Sequence, residues 1–103
     1  MTDDHQGFSG DLARLRQSID NLDAAIVHLL AERFRCTHAI GELKARHGLA
    51  SRDPKREVAQ LRRLRSLASQ SGLDPEFAQK LHDLVVREVV TNHEAAKIES
   101  GAS

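Results

Sequence analysis

Apolar side chains recur in steps of three and four along the first half of this chain. The rungs are Leu12, Leu15, Ile19, Leu22, Ile26, Leu29, Arg33, Cys36, Ile40 and Leu43. That spacing is the seam of one long helix packed on other helices. One rung, Arg33, is charged, and an unpaired cation in a seam is costly to bury. Something anionic must meet it, either a carboxylate of the protein or a ligand.

The pattern predicts helix 1 over residues 12 to 46, with Ser9 or Asp11 as N-cap and Gly48 just past its end. Helix 2 opens at Asp53-Pro54, a capping residue followed by a proline suited to the first helical position. Its apolar face is Val58, Leu61, Leu64 and Leu67 or Ala68, and Gly72 ends it. Helix 3 repeats the device at Asp74-Pro75-Glu76, carries Phe77, Leu81, Leu84, Val85 and Val89, and fades near Lys97. The expected organisation is a flexible leader over 1–10, one helical domain over 11–98 and a disordered tail over 99–103.

Helix 1 would be about 50 Å long at ~1.5 Å per residue. A domain of this size has a radius of gyration of about 13 Å. One compact protomer cannot cover such a helix, so the expected fold is all-α, a three-helix protomer in an intertwined homodimer.

Composition narrows the picture. Apolar residues are 40% of the 103 but aromatics only 3%, so the core is aliphatic, and β-branched residues are too sparse for strands. Fifteen basic residues balance fifteen acidic ones, which argues against a nucleic-acid partner. The single cysteine, Cys36, excludes an internal disulfide and a cysteine-rich zinc site. No apolar run approaches the roughly 18 residues of a membrane span, and the opening residues lack a signal-peptide pattern. A cytoplasmic protein without a membrane partner is expected.

Helical geometry then sorts the charges. Lys44 lies eleven residues after Arg33, close to three turns, on the same face. Arg56 and Glu57 stand in the first turn of helix 2, and His93 continues the apolar face of helix 3 from Val85 through Val89. The inward polar set, Arg33, Lys44, Arg56, Glu57 and His93, has more cations than anions. It suits a small dianion held between helices. It also suits a structural arrangement: an internal Arg33–Glu57 salt bridge, a satisfied histidine and a snorkelling Lys44. Arg62, Arg63 and Lys80 are expected on a solvated face.

With LRQSIDNLD, LLAERF, IGELK and RDPKRE in that order, residues 12 to 95 resemble the all-helical (AroQ-class) chorismate mutases. The resemblance implies a three-helix protomer, an intertwined dimer with two equivalent sites, and Arg16 reaching into the partner's site. It implies conversion of chorismate to prephenate, a pericyclic rearrangement that needs no cofactor and no metal. By the same resemblance Arg16, Arg33 and Arg56 clamp the substrate carboxylates, and Lys44 is the cation beside the ether oxygen. Glu57 and the Asp53 backbone would hold the ring hydroxyl. Two positions depart from the family pattern. His93 stands where Gln or Glu usually gives the second donor to the ether oxygen, and Val89 stands where a small hydroxyl residue is common. Two alternatives remain open at this stage. One is an isochorismate pyruvate-lyase on the same scaffold, and the other is a non-catalytic helical dimerisation or regulatory module.

Overall fold

The computed structural model describes the backbone of residues 2–99 and the side chains of residues 7–92. Three helices follow in order: α1 (Thr2–Arg46), α2 (Pro54–Ser71) and α3 (Pro75–Glu99). No strand is present among the described residues. The protein is all-α.

The first helix begins ten residues before the expected start. Ser9 and Asp11 lie inside α1 and cap nothing. Extending a formed helix adds one hydrogen bond per residue fixed, whereas only starting one is unfavourable. Gly7 and Gly10 each weaken the extension by about 1 kcal/mol, and no proline interrupts it. An Asp11–Arg14 ion pair one turn apart supports the same stretch. The tail expected to be disordered lies outside the described residues from position 100 onward.

The other boundaries follow local chemistry. At the end of α1 the chain turns at Gly48, whose φ of 66° is left-handed backbone. Leu49 N–H closes that turn on Lys44 O at 2.9 Å. The Asp53 carboxylate accepts from Arg56 N–H, and Pro54 opens α2. At the other end Gly72, with φ 82°, donates to the carbonyls of Ala68 and Ser69. Asp74 opens α3, its carboxylate taking Glu76 N–H at 3.0 Å.

Two compact units make up the chain, Met1–Cys36 and Thr37–Ser103. In the first, the apolar rungs of α1 are left in water: Leu15 is 64% exposed, Leu22 62% and Leu29 69%. In the second, α2 packs on α3. Among the described residues, those buried there are Ala68 from α2 and Ala78 and Val85 from α3. Small side chains at the crossing let the two helix axes approach closely. Leu61 and Leu64 are half-buried beside them. The expected apolar face of α3 is therefore divided. Val85 is covered and Val89 half-covered, while Phe77, Leu81 and Leu84 remain exposed. Arg65 of α2 clasps α3 through Glu76 and Gln79, each at 2.7 Å.

Candidate active site

The second unit carries a polar cluster where α1 ends and α2 begins. Lys44 is half-buried in the last turn of α1, and its Nζ donates to Ser51 O at 3.4 Å across the connecting loop. That bond leans a long side chain toward the start of α2, where the orphan N–H groups of the first turn lie. Asp53 is engaged as the cap, accepting from Arg56 N–H at 3.2 Å. Arg56 itself is exposed.

Glu57 is held by a residue the periodicity did not point to. Arg52 grips its carboxylate at two points, Nη2 to Oε2 at 2.9 Å and Nε to Oε1 at 3.3 Å. The fork geometry matches a guanidinium to a carboxylate. The hydrogen bond from Arg52 is the largest influence and holds Glu57 below the ordinary carboxylate value; partial burial, next in weight, works the other way, and the charge of Arg52 adds to the lowering. Arg52 is raised in turn, chiefly through the same bond.

Glu57 and Arg52 line an open groove of about 420 Å³ between α2 and α3. Val58 and Leu61 of α2 and His82, Asp83, Val86 and Arg87 of α3 complete its walls. His82 is the unusual member. Its side chain is only 11% exposed, and both ring nitrogens are buried without a hydrogen-bond partner. Asp83 lies 3.7 Å from its Nδ1, too far for a hydrogen bond. A helical stripe in the sequence could have found this wall: His82, Val86, Val89 and His93 recur in steps of four, three and four. Arg52 could have been found only by noticing that it flanks the cap five residues before Glu57.

Of the residues read from the sequence, Asp53, Arg56 and Glu57 stand at the start of α2, and Lys44 is tied to the loop before it at Ser51. Val89 is half-buried on α3, one helical step past Val86. The side chain of His93 lies outside the described residues. In the first unit Arg16 is exposed and Arg33 is half-buried. Arg33 Nη1 is shut off from solvent with no hydrogen-bond partner, an unmet donor of the kind a ligand carboxylate satisfies. No cluster of His, Cys, Asp and Glu suited to a metal exists among the described residues, and no described helix is long and apolar enough to cross a membrane.

The model of one protein family, chorismate mutase type II, matches residues 15–94. The chain belongs to that family. Membership accounts for the three-helix order. Among relatives, a chorismate mutase of Methanocaldococcus jannaschii is 31% identical over 73% of this chain and 76% of its own length. A 4-amino-4-deoxychorismate mutase of Streptomyces venezuelae is 30% identical over 77% of each. The T-protein of Enterobacter agglomerans is 35% identical over 80% of this chain. The match spans only 22% of that protein's length, and 21% of a bifunctional chorismate mutase/prephenate dehydratase of Buchnera aphidicola. The chain thus covers about a fifth of these longer family relatives.

Proposed function

We propose that this chain rearranges chorismate to prephenate, within aromatic amino-acid biosynthesis in the cytoplasm, as an intertwined homodimer. The observation that carries the reading is Asp53, Arg56 and Glu57 at the start of α2 with Lys44 tied to the loop before it, in a chain of the chorismate mutase type II family. Support for a second copy comes from α1, whose exposed apolar rungs need a cover that one protomer does not supply. In the dimer Arg16 enters the partner's site.

The reaction breaks an ether C–O bond as a new C–C bond forms within one molecule. A flexible enolpyruvyl side chain must first be held over the ring, so orientation is a large part of catalysis. Arg16, Arg33 and Arg56 fasten the two carboxylates through planar forks of donors. The unmet Arg33 Nη1 fits that task. Negative charge grows on the ether oxygen in the transition state, and Lys44 with His93 stabilises it there more than in the substrate. Glu57 and the Asp53 backbone hold the ring hydroxyl, and Val89 borders the substrate without offering a hydroxyl to it. An acceleration of ~10⁶ requires about 8 kcal/mol, within reach of orientation plus a few charge-assisted contacts. The chemistry asks for no cofactor.

The test is loss of chorismate absorbance with chromatographic identification of the product, for wild type, Arg33→Ala and Lys44→Ala. Prephenate is expected from wild type, with kcat/KM lowered by about 10²-fold or more in each variant. A folded wild-type dimer that leaves chorismate intact refutes the proposal. Turnover of isochorismate to pyruvate instead would favour the lyase.

A further inference from the structure

Resting on the reading above, we propose that Arg52 makes this site choose a neutral hydroxyl over a cationic amine at the ring position that Glu57 holds. The choice is a real one for this family, because a relative is named for 4-amino-4-deoxychorismate. An aliphatic amine at that position carries a positive charge at neutral pH. A carboxylate standing alone would welcome it.

Glu57 does not stand alone. Both of its oxygens already take a hydrogen bond from the Arg52 guanidinium. A carboxylate offers about four lone-pair positions, so two stay open to a further donor. A hydroxyl can use one of them and brings no charge. An ammonium must approach the same oxygens within a few ångströms of Arg52, and the two cations repel. The rest of the groove offers no relief. Its other carboxylate, Asp83, lies 3.7 Å from the buried His82 imidazole, and a second guanidinium, Arg87, lines the same groove, so the lining carries as many guanidiniums as carboxylates. With the pair in place, the groove recognises a hydrogen-bond donor rather than a cation.

Arg52 is 76% exposed, so its removal threatens the fold little, and solvent moderates its repulsion. The expected effect is accordingly modest. Steady-state kcat/KM is measured for chorismate and for 4-amino-4-deoxychorismate with wild type, Arg52→Gln and Arg52→Lys. Wild type should prefer chorismate. Arg52→Gln should shift the ratio toward the amine by about three- to fivefold, chiefly through KM. Arg52→Lys, which keeps the charge, should hold most of the wild-type ratio. A merely structural role would lower both substrates alike and leave the ratio unchanged, and that result overturns the proposal. So does a wild type that prefers the amine. If wild type turns over neither compound, the ratio of their calorimetric affinities is read in the same way. A wild type that binds neither refutes the functional reading itself, whereas turnover of chorismate with an unmoved ratio refutes only the role of Arg52.

Discussion

Arg65 on α2 and Gln79 on α3 are joined by a 2.7 Å hydrogen bond across fourteen residues of sequence. The same guanidinium reaches Glu76 Oε1 at 2.7 Å with its other terminal nitrogen. These contacts pin the α2–α3 crossing beside the small buried Ala68 and Ala78. Replacing Arg65 with Met keeps the stem and removes both bonds. The side chain is 36% exposed, so water replaces part of what is lost. The variant should lose about 1 kcal/mol in urea unfolding at fixed protein concentration. An unchanged midpoint would mean that the clasp is ornamental.

The Arg52–Glu57 fork predicts a dependence of stability on pH with a definite sign. Glu57 is lowered by its bond to Arg52, so the folded state holds the ionised carboxylate more firmly than the unfolded chain does. The resulting stabilisation is complete above the ordinary glutamate value and is lost as pH falls through the lowered folded value. Wild type should therefore exceed Arg52→Gln in unfolding midpoint by a constant margin near neutrality, and the margin should close in acid. Midpoints recorded from pH 7 to pH 3 check this. A margin that persists undiminished at the acid end contradicts it.

The proposed dimer predicts that charge on the α1 stripe separates the protomers. Ile19 is 54% exposed and Leu22 62% exposed. Ile19→Glu places a carboxylate where the second copy should lay down apolar surface. Sedimentation should show wild type as a dimer and the variant shifted toward monomer, with lower helicity on dilution. Equal sedimentation of both proteins as monomers would remove the case for assembly.

By the family resemblance, His93 stands where Gln or Glu is usual. The proposed role beside the ether oxygen makes activity depend on whether the imidazole is protonated. His93→Gln should flatten the pH profile of kcat between about pH 5 and pH 8. Superimposable profiles for the two proteins would place the pH dependence on another group.

The helices were legible because their punctuation is local. Asp53-Pro54, Gly72 and Asp74-Pro75 each act through a cap or a turn that needs only neighbouring residues. The start of α1 was misplaced for a related reason. Ser9 and Asp11 carry cap chemistry, but a capping residue ends a helix only when nothing continues it, and the backbone runs on through Gly10 and Gly7 to Thr2. At the site, Lys44 and Glu57 were legible as polar residues near helix ends. Arg52 was not, because its partner is set by the turn at Asp53 rather than by a helical period. His82 was missed because one histidine on an apolar face resembles any other until both of its nitrogens prove to lack partners. The division of the α3 face could not be read from periodicity, which shows where apolar residues gather and not which helix covers them.

The uncovered stripe on α1 has a consequence for how this protein comes into being. In the proposed dimer, the last step of folding is an encounter between two chains, and its rate depends on how many chains are present. Stability then has no single value: each tenfold dilution lowers it by about 1.4 kcal/mol per dimer. A newly made chain in a sparse population would wait, helical but incomplete, and the cell could set the amount of working enzyme more steeply than the amount of protein.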